Sequence, residues 1–450
     1  MANINQNQDR EQWGSKIGFI LAAAGSAVGL GNLWKFPYMA GKNGGGAFVL
    51  VYFIILFLVG FTLMLAEIVL GRHTQLNAIG AYRKIRKNWA WVGGLGVLAG
   101  FLILSFYSVV GGWVINYIVK SLTGALNVSD AEVLGGMFGE LISGTTVPIF
   151  YHGLFMLATL LIVFGGIGGG IEKSSKIMMP ALFIMIIILA IRSMTLPGAV
   201  EGIKYLLVPD FSKITIGVIL DALGQVFFSL SLGMGCMITY GSYLSKDTNI
   251  PQSATIIPLI DTGVALLAGL AVLPAVFAFG FEPSAGPGLI FITFPAVFAQ
   301  MPLGSLFAVM FFVLVLFAAL SSSISLLEVC VAYVVDEWKM NRKVTTIVLG
   351  VVIFLIGIPC SLSLGPWSDI TLLPGKGFFD TFDFVSSNIL LPLGGLLLCI
   401  FVGWIWGTDN AIKEATNDGN LEFKLSGAWA FLVKYVGPVA ILLVFIRSLL

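Results

Sequence analysis

A helix needs about 20 mostly apolar residues to cross the hydrocarbon core of a bilayer. Stretches of that length recur along this chain from residue 17 to the C-terminus, and eleven can be read, near 17–41, 46–70, 92–121, 147–167, 175–196, 215–244, 254–280, 303–335, 344–362, 379–407 and 427–449. With 58% apolar and 10% charged residues among 450, and a mean hydropathy of +0.99, the bilayer is the solvent of this chain. The expected fold class is an all-α membrane protein. The first dozen residues, MANINQNQDREQ, are polar and run into a full-length span, so a cleaved leader is not expected and the N-terminus is read as cytoplasmic.

Loop charge sets the orientation, because Lys and Arg accumulate on the cytoplasmic side. With the N-terminus inside, Arg72, Arg83, Lys84, Arg86, Lys87, Lys173, Lys176, Lys246, Lys339, Arg342, Lys343, Lys413 and Lys424 all fall inside. The loops at 122–146 and 281–302 carry acids but no Lys or Arg, as outside loops should, and an odd number of spans leaves the C-terminus outside. A net charge of +1 offers no basic stripe to a nucleic acid, and two separated histidines, His73 and His152, make no metal cluster. Cys236, Cys330, Cys360 and Cys399 lie in or beside apolar stretches without CxxC spacing, and read as small buried side chains.

Two spans are not ordinary. The first contains GSAVGLGNLWKFP at 25–37, where glycines, Asn32 and Pro37 oppose a continuous helix. The sixth contains SLSLGMG at 229–235 at a similar depth. Unwound backbone survives in a membrane only where protein buries it or where it lines a cavity. Glycine also serves close helix packing, and for a single pair that explanation suffices. Two interruptions five spans apart instead mark an inverted repeat whose broken helices build a site near the midplane. The chain then divides into a gate segment at 1–16, a first repeat at 17–200, a second at 215–407 and an added span at 427–449.

The motif at 25–37, with NGGGAF at 43–48, GQVFFSLSLGMG at 224–235 and ALSSSIS at 319–325, resembles the neurotransmitter:sodium symporters, in particular their bacterial amino-acid transporters. The resemblance covers nearly the whole chain and implies the fold of the bacterial leucine transporter, whose five-plus-five repeat is a standard illustration of this architecture. It implies a multi-pass protein of a bacterial inner membrane that imports a neutral, hydrophobic or aromatic L-amino acid by sodium symport. It also implies two sodium ions. The first would be held by the Ala27 carbonyl, Asn32, Ser229, Asp261 and the substrate carboxylate. The second would be held by the carbonyls of Gly25, Val28 and Ala318 with the hydroxyls of Ser321 and Ser322, although a serine run also serves helix packing.

The implied substrate site comprises Ser26, Ala27, Gly29, Gly31, Ile103, Tyr107, Phe228, Ser231, Met234, Ser322 and Leu326. No charged side chain belongs to that set, so a charged substrate side chain would be desolvated without a partner. Met234 stands where the leucine-transporting relative has Phe; it either widens the substrate range or fills a gap. Lys35 with Asp383 corresponds to the outer gate, and Arg10 with Asp336, beside Trp13, Ser242 and Tyr243, to the inner one. Lys35 departs from the family's arginine, and an ammonium does not form the two-pronged carboxylate pair. Gly170 and Pro180 have the spacing that accompanies unwinding of the fifth span in bacterial relatives, with an ordinary loop glycine and a tolerated membrane-helix proline as the competing explanation.

Asp261 stands where animal relatives carry Asn beside a chloride ion, whose surroundings are partly retained in Tyr52 and Gln225. A fixed carboxylate would replace that anion, so no chloride requirement is expected; Asp261 could also exchange its cation for a proton on the return step, or merely pair with packing hydroxyls. Enzymatic activity is not expected, since His152 lacks the neighbours a catalytic group needs. The competing reading is a membrane sensor or channel-like protein that binds amino acids without uphill transport. The expected partners are thus a neutral amino acid and the lipid bilayer; the oligomeric state is not readable.

Overall fold

The computed structural model describes residues 10–281 and 287–449. Residues 1–9 of the expected gate segment, and 282–286 of the loop expected at 281–302, lie outside the described residues. All the regular structure among the described residues is helical. The helices follow in chain order as α1 Lys16–Ala27, α2 Gly31–Lys42, α3 Gly46–Thr74, α4 Ala78–Ile85, α5 Lys87–Leu122, α6 Ala131–Ser143, α7 Thr146–Phe164, α8 Ile167–Met194 and α9 Ala199–Leu207. The second half comprises α10 Ile216–Ser229, α11 Cys236–Gly241, α12 Ile250–Ala278, α13 Leu289–Ala299, α14 Gly304–Trp338, α15 Arg342–Leu362, α16 Phe378–Ala415 and α17 Ser426–Leu449. Nine of these are long and apolar enough to cross a bilayer unaided.

The two remaining spans are the broken ones. Helices α1 and α2 form one apolar span bent by 56° where Val28 leaves the helical region for an extended conformation. In the sixth, α10 ends at Ser229 and α11 begins at Cys236. Ser231, Gly233 and Gly235 between them take φ of 52°, 81° and 73°, and a right-handed helix cannot run through three left-handed residues in five. Hydroxyl caps fix where these spans begin, Ser15 accepting from the Gly18 N–H and Thr215 from that of Val218. All eleven expected segments have counterparts, and the architecture is the inverted five-plus-five repeat with an added eleventh span.

Three local expectations are corrected. Span five begins at Ile167 rather than 175, because the charges that resemble a loop, Glu172 and Lys176, neutralise each other at 2.6 Å on the helix. That helix is continuous to Met194 through Gly170 and Pro180, so the unwinding implied by their spacing is not present in this conformation. The loop expected at 122–146 is largely helix α6 and the one at 281–302 contains α13, both too short to span.

Candidate functional site

The two breaks meet against α12 and α14. Asp261 of α12 is fully buried, and its carboxylate collects donors from three other helices. Asn32 Nδ2 donates to Asp261 Oδ1 at 2.8 Å, Ser229 Oγ to Oδ2 at 2.9 Å and the Tyr52 hydroxyl to Oδ2 at 3.4 Å. Asn32 in turn accepts from the Gly29 N–H at 3.1 Å, which pins the backbone of the first break to the same cluster. Gln225 reaches the Gly31 carbonyl at 3.3 Å. No Lys or Arg forms an ion pair with Asp261 among the described residues, so its partners are neutral. The cluster offers amide, hydroxyl and carboxylate oxygens, the hard ligands that a sodium ion takes.

One carbonyl ties the breaks together. The Ser26 oxygen, freed where α1 ends, accepts from Ser231 Oγ at 3.0 Å and from Ser322 Oγ at 3.2 Å, and Ser26 Oγ donates to Ser325 at 2.6 Å. Glycine keeps the space beside it narrow: a Cβ on Gly29 would lie 2.7 Å from Ser322 Oγ and 3.5 Å from the Tyr107 hydroxyl, and one on Gly31 would lie 3.0 Å from the Phe228 ring, so these side chains would have to shift. Among the described residues the Tyr107 hydroxyl is buried without a hydrogen-bond partner. Ile103, Met234 and Leu326 are buried apolar side chains on α5, in the second break and on α14.

Of the second expected set, the structure brings Ser321, Ala318, Val28 and Gly25 together, while the Ser322 hydroxyl donates to the Ser26 carbonyl. Ser321 Oγ lies 3.0 Å from the Ala318 carbonyl and 3.4 Å from that of Val28, and a Cβ on Gly25 would meet Ser321 Cβ at 3.1 Å. Span one thus packs at Gly25 against the Ser321 side chain of α14, with the Val28 and Ala318 carbonyls beside the Ser321 hydroxyl.

Comparison with known proteins bears on what such a site serves. The model of the sodium:neurotransmitter symporter family matches residues 10–133 and 151–450. This chain belongs to that family. It is 47% identical over 438 residues to the sodium-dependent transporter YhdH of Bacillus subtilis, covering 97% of both chains. It is 41% identical to a sodium-dependent transporter of Haemophilus influenzae, covering 98% of this chain and 99% of the relative. Among solved structures, MhsT in complex with L-phenylalanine matches with a TM-score of 0.89 and 47% identity, over 98% of this chain and 100% of that one. The protein is therefore a sodium-coupled, multi-pass membrane transporter of the family and not an enzyme.

In this symporter the residues expected at the inner gate are in contact. Arg10 pairs with Asp336 at 2.8 Å, donates to Ser242 Oγ at 2.7 Å and lies over the Tyr243 ring. Trp13 closes beneath it, its N–H bonded to the Tyr243 carbonyl at 3.2 Å and its indole to that of Tyr240 at 2.9 Å. The outer pair is different: Lys35 forms no ion pair with Asp383, which is exposed and accepts from Ser387 at 2.8 Å. The Lys35 ammonium instead sits 4.1 Å from the centroid of the ring of Phe228, a residue of the expected substrate site.

Several participants were missed by reading the sequence. Glu67 of α3 accepts from the Gly233 N–H at 2.8 Å, satisfying a donor that the second break frees. Glu328 of α14 takes Tyr243 at 2.6 Å and Arg342 at 2.5 Å. A reciprocal cap joins spans one and five: Glu11 accepts from the Ile167 N–H at the start of α8, and Glu172 of α8 accepts from the Gly14 N–H before α1, each at 2.6 Å. The available signal for Glu67 and Glu328 was a single acid inside an apolar run.

Proposed function

We propose that this symporter drives the uptake of neutral, apolar or aromatic L-amino acids with the inward sodium gradient, needs two sodium ions and does not require chloride. The observation that carries the reading is the Asp261 cluster. A carboxylate buried among neutral donors is costly without a cation, and a sodium ion beside Asn32 and Ser229 would relieve it while leaving an oxygen ligand to come from the substrate. The Tyr107 hydroxyl and the N–H groups near Gly29 and Gly31 would take that substrate carboxylate. Ile103, Phe228, Met234 and Leu326 would surround its side chain, and the absence of charge in this set favours an uncharged one. The similarity to MhsT, solved with L-phenylalanine, supports the same class.

The negative charge of Asp261 would make a bound anion redundant beside Tyr52 and Gln225. The Ser321 and Ser322 hydroxyls with the carbonyls of Gly25, Val28 and Ala318 would hold the second ion, joining span one to α14. Arg10, Asp336, Trp13, Ser242 and Tyr243 would form the inner gate, with Lys35 and Asp383 at the outer one. The distribution of Lys and Arg supports a bacterial inner-membrane orientation with the N-terminus inside and the C-terminus outside. Equilibrium binding of L-phenylalanine to the purified protein tests the substrate class. Binding should require sodium and be competed by leucine and tyrosine; binding that ignores sodium, or that lysine or glutamate competes equally well, would refute it.

A further inference from the structure

A groove of about 440 Å³, outside the substrate site and both gates, opens between the connection into α5 and the end of α16. Arg86, Lys87, Asn88, Trp89, Trp404 and Ile405 line it. Arg86 and Lys87 are exposed and form no ion pair among the described residues, whereas Arg83, three residues earlier, is held by Glu337 at 2.7 Å. Trp404 donates through its indole N–H to the Lys434 carbonyl at 3.3 Å, which brings the backbone of a third basic residue beside the groove. Lys434 likewise has no ion-pair partner among the described residues.

The aromatic side chains are arranged around these charges. Trp404 is 56% exposed and packs edge-on against Tyr435, itself 49% exposed, with ring centroids 5.5 Å apart. Trp89 packs on Phe401 at 5.4 Å, which fixes the wall beneath Arg86 and Lys87. Depth is set by the helices: Lys87 opens the apolar helix α5, and Trp404 lies just before Gly407, where α16 turns polar through Thr408, Asp409 and Asn410. Both walls therefore stand at the end of an apolar span, the level at which tryptophan, tyrosine and lipid headgroups meet.

We propose that this groove binds the headgroup of an anionic phospholipid. Arg86 and Lys87 hold its phosphate, Trp89 and Trp404 flank its glycerol backbone, and its acyl chains run along the exposed apolar faces of α5 and α17, which carry Leu98 and Phe431. Charge complementarity selects this occupant: guanidinium and ammonium groups without carboxylate partners match a phosphodiester, and their place at the end of apolar spans matches a lipid that carries one. A zwitterionic lipid brings its own cation and gains less.

Native mass spectrometry of the purified full-length transporter, titrated with phosphatidylglycerol or phosphatidylcholine, tests the site. The native protein should retain phosphatidylglycerol preferentially. Arg86→Gln and Lys87→Gln should each weaken that retention roughly fivefold, and the pair by tenfold or more, with phosphatidylcholine unaffected. Arg192→Gln, at the far end of α8, should change nothing. Sodium-dependent amino-acid binding, measured on the same samples, reports that each variant is folded. Equal retention of the two lipids, or unchanged phosphatidylglycerol retention in the folded double variant, overturns the proposal. Displacement of the lipid by millimolar inorganic phosphate would also overturn it, assigning the groove to a free anion.

Discussion

Asp336→Ala should release the inner closure, and the structure sets how far. Asp336 Oδ2 receives Arg10 at 2.8 Å, the Asn77 N–H at 2.8 Å and the Asn77 side-chain amide at 3.2 Å. Both charged side chains are more than four-fifths buried, so solvent screens the pair only in part. Truncation leaves Arg10 with Ser242 and the Tyr243 ring, and leaves the Asn77 N–H without its acceptor. If the gate role proposed for Asp336 holds, the Arg10 bond belongs to the closed state and its loss acts on the closed–open equilibrium. A hydrogen bond to a charged group contributes about 1.5–3 kcal/mol, which corresponds to roughly a 10- to 150-fold rise in the open population. Amide hydrogen exchange reads that population when opening is fast relative to exchange. The N–H groups of Trp13 and Gly14, bonded to Tyr243 and Glu172, should exchange at least tenfold faster in sodium-free buffer, while those of α10 should not change. Unchanged rates at Trp13 and Gly14 would refute the role given to Asp336, and an equal rise throughout the chain would show general destabilisation instead of gating.

Three further outcomes are expected. Tyr107→Phe removes the hydroxyl assigned to the substrate carboxylate and should weaken sodium-saturated amino-acid binding by about 1.5–3 kcal/mol; unchanged affinity would remove Tyr107 from the site. Lys35→Gln removes the cation over Phe228, worth about 0.5–2 kcal/mol, and should speed dissociation of bound amino acid severalfold, whereas an unaltered off-rate would show that the lid closes without it. Replacing chloride with gluconate should leave native uptake intact, and Asp261→Asn should abolish uptake or make it chloride-responsive; loss of native activity in gluconate would contradict the anion-replacing role.

The spans were legible because apolar length is a local property of the chain, and the breaks because glycine, Asn32 and Pro37 oppose helix wherever they stand. Asn32 was legible through its motif and Asp261 through the family resemblance, and the structure brings them to 2.8 Å across 229 positions of sequence. What stayed hidden depends on partners remote in sequence. Glu172 looks like a loop charge until Gly14 and Ser15 are seen to need its oxygens. Glu67 reads as an isolated acid because the N–H that it satisfies exists only once Gly233 has left the helix. Lys35 was read towards Asp383 by analogy with an arginine; in this conformation the ammonium lies over the ring of Phe228, and no pattern of charges along the chain encodes that choice.

Coupling of amino-acid entry to sodium predicts uphill accumulation. Proteoliposomes containing the purified protein, loaded with choline chloride and diluted into sodium chloride with labelled L-phenylalanine, should concentrate the amino acid above its external level, and collapsing the sodium gradient should release it. Entry that only equilibrates, or that proceeds equally with choline on both sides, would contradict sodium symport and favour a channel-like protein or a sensor.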